Sequence, residues 1–152
     1  LGETATDSEK NYSPSDVSGF FSPEHAPHFY NYSSKREDYA MLFDEVMMKA
    51  RYNVDRDIAV TNQPSNAGEE YIVTWGQRGR IGEANIKPRA EYVTLRILPE
   101  FNNASEVINN LAAPIAMQQA KVMVILFNHH HFCRFQEFLL SRAVISTGYA
   151  NP

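Results

Sequence analysis

The sequence predicts an α+β domain that is mainly helical. Apolar residues recur at helical spacing over residues 35–51, and one segment near residues 70–81 has the composition of a short strand or hairpin. With 152 residues, 43% of them hydrophobic, the chain is long enough to bury a core of its own. We therefore expect several helices packed around a small β element.

The N-terminal 34 residues have the composition of a loop. They are rich in Ser, Asp, Asn, Pro and Gly, and their apolar residues occur only in short clusters such as Phe20-Phe21 and Phe29-Tyr30. We expect residues 1–34 to form a loop-rich arm that lies over a helical α+β domain at residues 35–145.

The strongest helix signal follows this arm. Ser33 or Ser34 can act as the N-cap, and Glu37 is placed to complete a capping box. The sequence therefore predicts a helix over residues 35–51, with Asp44 and Glu45 on its solvated face. Apolar residues at spacings of three and four support it: Tyr39, Leu42, Phe43, Val46 and Met47.

Extended segments alternate with loops in the middle of the chain. Residues 58–61 predict a short extended segment, and residues 70–75 are the best strand because they are rich in β-branched and aromatic side chains. A polar loop is expected at residues 62–68, and a basic turn at residues 76–80.

Two more helices are predicted before a long apolar segment. Pro88 suits the first turn of a helix that Pro99 stops, and a shorter helix is expected at about residues 104–112. From Pro114 onward the sequence is compatible with one long helix or two broken ones. Residues 146–152 are expected to form a flexible tail.

Charge and hydropathy exclude two classes of function. The 18 acidic and 14 basic side chains give a net charge of -4, and nucleic-acid binders depend on Lys and Arg, so we expect no nucleic-acid partner. The longest apolar run, residues 122–127, is too short to cross a bilayer.

The single Cys133 excludes an internal disulfide. If a signal peptide has been removed before Leu1, an exported or cell-envelope location is expected.

The residues around the start of the first helix have a pattern used in zinc chemistry. A catalytic zinc ion commonly takes three protein ligands and leaves its fourth position to water. In one large class, two histidines come from an H-E-x-x-H helix, whose Glu is the general base, and the third ligand is a Glu on a later helix. A phenol near the metal can stabilise the oxyanion that forms on the scissile carbonyl.

Residues 37–43, Glu-Asp-Tyr-Ala-Met-Leu-Phe, resemble the third-ligand helix of gluzincin zinc metallopeptidases, and the lethal-factor-like members have the nearest pattern. The resemblance implies that Glu37 is a zinc ligand. It implies that Tyr30, seven residues earlier, is the oxyanion stabiliser, with Tyr32 a less well placed substitute. Asp38 departs from the family pattern because it replaces the first aromatic residue of the usual pair.

The same resemblance makes the function conditional. No H-E-x-x-H motif occurs in the 152 residues, so two zinc ligands and the general base are missing. We expect the chain to be the C-terminal part of a zinc metallopeptidase-like hydrolase whose metal-binding helix precedes Leu1, or a descendant that has lost the site. Its substrate would be a peptide or a protein, and the isolated chain is expected to be inactive.

Each site residue also has a structural interpretation. In this interpretation Glu37 is a capping-box carboxylate with no metal role, and Tyr30 is an aromatic residue that packs the arm onto the core. The alternative function is a non-enzymatic binding or interaction domain. Its surface would consist of exposed aromatic residues and the turn that carries Arg78 and Arg80, which can clamp a carboxylate or pair with nearby Asp and Glu.

The histidines are further metal candidates. His25 and His28 form an H-x-x-H pair, but the proline between them disfavours a regular helix. His129, His130 and His131 are consecutive, and adjacent residues on a helix point about 100° apart, so they cannot chelate one ion together. A strand would place only the first and third on one face.

Overall fold

The computed structural model describes residues 6–23, 25–62 and 71–118, together with the backbone of residues 143–150. Within these ranges the chain has the mainly helical α+β fold that the sequence predicts. The α-helices are α1 (Pro14–Phe21), α2 (Lys35–Tyr52), α3 (Lys87–Ile97) and α4 (Ala104–Asn109). The strands are β1 (Asp55–Asn62), β2 (Val73–Arg78), β3 (Ile115–Ala116) and β4 (Ala143–Ala150).

Both ends of α2 carry recognisable caps. Ser34 is the N-cap, and its Oγ accepts a hydrogen bond from the Glu37 N–H at 3.2 Å. Asn53 ends the helix in the left-handed conformation, at φ 52°, which Asn tolerates better than most residues. The helix predicted over residues 35–51 is confirmed, and the helices predicted after Pro88 and near residue 104 are confirmed as α3 and α4.

The strands form an antiparallel sheet with the order β3-β2-β1-β4. β1 lies centrally and pairs with β2 on one side and β4 on the other, with an irregularity in the first pairing between Val60 and Thr61. The predicted extended segment at residues 58–61 and the predicted strand near residues 70–81 are confirmed. The second strand also takes in residues 76–78, which the sequence assigned to a turn.

Two predictions for the C-terminal part are wrong. Residues 115–116 form β3 instead of starting a helix, and residues 146–150 lie in β4 beside β1 instead of forming a flexible tail. Val, Ile, Thr and Tyr are enriched in β4, and these residues favour strands once a neighbouring strand offers backbone partners. The helical segment predicted over residues 119–142 lies outside the described residues.

The N-terminal arm has more regular structure than the loop that its composition predicts. Helix α1 begins with a complete capping box, in which Ser13 Oγ accepts from the Asp16 N–H at 3.2 Å and Asp16 Oδ2 accepts from the Ser13 N–H at 2.8 Å. Pro14 occupies the first helical position. Val17 and Phe21 are buried against the sheet. A local cap and two apolar residues therefore outweigh the loop-like composition.

The helices and the sheet are joined by buried apolar side chains. Helix α1 covers the sheet, whereas α2, α3 and α4 share a core of their own. Burying one such large aliphatic side chain contributes about 1.5–3 kcal/mol. This helical core fixes α2 beside α3, and it consists of Leu42, Val46, Ile81, Ile86, Ala90, Val93, Ile108 and Leu111.

Candidate functional site

The segment that carries Tyr30 is fixed against the start of α2. Tyr30 lies in a 3₁₀ turn, Phe29–Tyr32, which packs against α2 and is called the Tyr30 turn below. The buried Asn31 donates from Nδ2 to Asp38 Oδ1 at 2.8 Å and to the Asp38 carbonyl at 3.3 Å. Because Asn31 and Asp38 directly follow Tyr30 and Glu37, this pair fixes the backbone beside both predicted site residues.

Asp38 also joins the arm and α2 to α3. Its Oδ1 forms an ion pair with Arg89 Nη2, and Arg89 Nη1 donates to the His25 carbonyl at 3.0 Å. The Asp38 side chain is 21% exposed, so the polar residue that replaces an aromatic in the family pattern points into a contact and not into open water. Three segments of the chain therefore meet at one carboxylate.

Glu37 lies in the first turn of α2, and its side chain is partly buried. Its backbone N–H makes the Ser34 half of the predicted capping box. Within the described residues, the Glu37 carboxylate makes no hydrogen bond or ion pair. A negative charge at a helix N-terminus is favourable by about 0.3–1 kcal/mol. The carboxylate is thus in a favourable field and open to a cation.

Tyr30 is partly buried in a turn whose backbone is held by its own side chains. Its N–H donates to His28 Nδ1 at 2.9 Å, and its carbonyl accepts from Ser33 Oγ at 2.8 Å. The Tyr30 ring meets the Phe29 ring edge-on, with 6.0 Å between centroids. The structure therefore places Tyr30 and Glu37 on two elements that pack together.

The described residues do not make a complete zinc site. No group of three or more His, Cys, Asp or Glu side chains within them is placed to hold a metal ion. Glu37 fits as one ligand, because zinc accepts carboxylate oxygens at about 2.0–2.2 Å. A zinc site that includes Glu37 requires ligands from outside the described residues.

The H-x-x-H pair does not present two nitrogens to one site. His28 is 1% exposed, stacks on Phe29 with 4.5 Å between ring centroids, and uses Nδ1 to cap the Tyr30 turn. His25 is exposed. His28 therefore has a structural role here. His129, His130, His131 and Cys133 lie outside the described residues.

The two arginines of the basic turn serve internal contacts. Arg78 makes a bidentate ion pair with Asp57 on β1, at 2.7 and 2.9 Å. Arg80 is 1% exposed, and its guanidinium lies 4.5 Å from the Phe21 ring and 5.2 Å from the Trp75 ring. The hypothesis of a surface clamp at this turn is therefore corrected in favour of local pairing and burial.

Sequence reasoning missed a buried polar cluster beside α2. Glu45 was expected on a solvated face, yet it is 3% exposed, and its Oε1 lies 3.6 Å from Arg56 Nε. Burial raises the pKa of Glu45 to about 7 despite the opposing charge of Arg56. Burial, reinforced by Arg56, lowers the pKa of His28 to about 3. The sequence does contain a signal for the burial of Glu45. Glu45 follows Leu42 by three residues and precedes Val46, and both of these neighbours are buried.

A cleft of about 310 Å³ lies between the arm and the start of α2. Its walls include Tyr32, Lys35, Asp38 and Arg89. Glu37 does not line this cleft; the residues of α2 that do are its neighbours Lys35 and Asp38. The aromatic residue that the Tyr30 turn contributes is Tyr32.

Comparisons with protein-family models, with curated proteins and with solved structures find no match to this chain. Within the described ranges, no helix is both long enough and apolar enough to span a bilayer. The geometry around Tyr30, Asn31, Glu37 and Asp38 is therefore what supports a functional proposal.

Proposed function

We propose that this chain is the third-ligand part of a gluzincin-like zinc metallopeptidase, in which Glu37 binds zinc and Tyr30 stabilises the oxyanion. The observation that carries the proposal is the 2.8 Å hydrogen bond between Asn31 and Asp38. It holds the residues next to Tyr30 and Glu37 together, and a catalytic pair needs such a support from surrounding hydrogen bonds. The two histidine ligands and the general base would come from an H-E-x-x-H segment outside the 152 residues.

The neighbouring carboxylates of α2 have separate roles in this proposal. Asp38 is committed to Asn31 and Arg89, so it does not compete for a cation. Glu37 makes no such bond within the described residues and keeps both oxygens available. A bound zinc ion supplies Lewis acidity for hydrolysis of a peptide bond. Glu37 would hold that ion, and the Tyr30 hydroxyl would donate a hydrogen bond to the developing oxyanion.

The proposal is tested by the zinc content of the complete gene product, including any residues that precede Leu1. Glu37→Gln removes a ligand oxygen, and we expect zinc affinity to fall by at least about 100-fold, beyond the 10–100-fold loss typical of replacing a residue that only hydrogen-bonds to a ligand. Glu106→Gln is the matched control, because Glu106 is an exposed carboxylate on α4. Equal zinc content in the two variants, or a complete sequence without H-E-x-x-H, contradicts the proposal.

A second candidate is a non-enzymatic binding domain. The observation that favours it is the cleft beside α2, whose rim carries Lys35 and the 55% exposed Tyr32. A cation and an aromatic ring beside this cleft suit an acidic ligand. Here Lys35→Glu would weaken capture of acidic peptides, whereas Glu37→Gln would not. If Glu37→Gln weakens this capture and Lys35→Glu does not, the zinc site is favoured.

A further inference from the structure

Two arginines hold one part of the arm to the domain through its backbone. This part, residues 21–23 and 25–31, is called the strap below. Arg80 donates to the carbonyl oxygens of Phe21 at 3.0 Å, Ser22 at 3.1 Å and Ala26 at 2.9 Å. Arg89 donates to the carbonyl of His25, also at 3.0 Å. Release of the strap would therefore open the buried surroundings of Arg80 to water.

One buried titratable side chain lies in the strap itself, and a second lies on α2, close enough to Arg80 for the two charges to interact. His28 belongs to the strap and is 1% exposed, and Glu45 belongs to α2 and is 3% exposed. The charge of Arg56 on β1 affects the pKa of both side chains. The charges of Arg80 and Asp44 also affect the pKa of Glu45. Neither His28 Nε2 nor Glu45 Oε1 has a hydrogen-bond partner within the described residues. Each would gain hydration if the strap opened.

We propose that docking of the strap is coupled to protonation of His28 and Glu45 in opposite directions, so that the strap stays docked near neutral pH and is released in strong acid. His28 leaves its buried position when the strap undocks. Glu45 senses docking through Arg80, because the charge of Arg80 affects the pKa of Glu45 and its guanidinium bonds to the strap. This inference does not depend on zinc binding by Glu37.

The two couplings differ in sign. Burial lowers the pKa of His28 from its ordinary 6.5 to about 3, so docking expels a proton from His28 between these values. Burial raises the pKa of Glu45 from its ordinary 4.5 to about 7, so docking takes up a proton there. The two effects cancel between about pH 4.5 and 6.5. Below about pH 4.5 only His28 still makes docking depend on pH, and docking weakens up to about tenfold for each further unit of acidification.

The test is the protection of the His28 backbone amide against hydrogen exchange, measured in the whole chain between pH 4 and 8 and divided by its intrinsic rate. That amide donates to Asn31 Oδ1 at 3.1 Å, so it reports docking of the strap. We expect a flat wild-type profile from about pH 4.5 to 6.5. In Glu45→Gln, protection should fall up to about tenfold per unit as the pH drops below 6.5.

His28→Gln should give the opposite slope, with protection of the same backbone amide rising as the pH falls from 7 to 4.5. Glu106→Gln is the control and should follow the wild type. Parallel profiles in all four proteins would overturn the proposal, as would a Val93 amide in α3 that follows each change, because that marks global unfolding. If one variant does not fold, a zero slope in the other is sufficient to overturn it.

Discussion

At the scale of single residues, α2 carries two neighbouring pairs of carboxylates, and in each pair the two members have different surroundings. The Asp38 carboxylate is bonded to Asn31, whereas the Glu37 carboxylate makes no hydrogen bond or ion pair within the described residues. Asp44 pairs with Arg56 at 2.8 Å, whereas Glu45 is buried. One step along a helix turns the side chain by about 100°, which is enough to move a carboxylate from one environment to another.

Replacing Glu45 by Gln is expected to stabilise the protein most at alkaline pH. Because its pKa is raised to about 7, the stabilising contribution of Glu45 is complete below its ordinary 4.5 and lost as the pH rises through 7. An amide avoids burying the anion. Urea unfolding should show a gain at pH 8 that exceeds the gain at pH 5 by about 1–3 kcal/mol. A gain that is larger at pH 5 contradicts the buried-acid description.

Removing the Asn31 side chain tests the support of the proposed site. Asn31→Ala leaves the buried His28 N–H without its acceptor and removes one of the two partners of the Asp38 carboxylate, which keeps Arg89. We expect a loss of about 1–3 kcal/mol in the free energy of unfolding, measured in urea. Asn109→Ala, at an exposed position of α4, is the control. Equal effects of the two substitutions would show that the Asn31–Asp38 contact is weak.

At the scale of elements, local signals were predictable and long-range contacts were not. The caps and apolar spacing of α2 lie within residues 34–53, so the sequence alone identifies this helix. The strap depends on Arg80, which is 54 positions from Ala26, and no local pattern shows that contact. The spacing of Tyr30 and Glu37 was visible as a motif, but the bond between Asn31 and Asp38 required the fold. Strand β4 likewise needs β1 as a partner.

Arg80→Lys tests how the strap is attached. A lysine keeps the charge but lacks the planar fork that reaches several carbonyls, so we expect a loss of at least about 2 kcal/mol in unfolding free energy. Trp75 fluorescence should change as well, because the guanidinium lies 5.2 Å from that ring. Arg96→Lys is the control, since Arg96 lies over the ring of Tyr92, which is exposed. A cost no greater than that of the control would refute the attachment.

At the scale of the whole molecule, the arm, α2 and α3 meet at Asp38, on the helical side of the domain. This junction supports Tyr30 and Glu37 from one side, while the sheet is covered by α1. Within the described residues, no group of three or more His, Cys, Asp or Glu side chains is placed to hold a metal ion. In the proposed peptidase, an H-E-x-x-H helix from outside the 152 residues would face this junction.

The most direct test of that claim measures zinc content and peptidase activity on the same preparations of the complete gene product. Tyr30→Phe should keep its zinc and lose about 10²–10³-fold in kcat, the usual cost of removing one oxyanion donor. Glu37→Gln should lose both zinc and activity, and Tyr39→Phe, at an exposed position of α2, should lose neither. Full zinc and full activity in both Tyr30→Phe and Glu37→Gln would contradict the account.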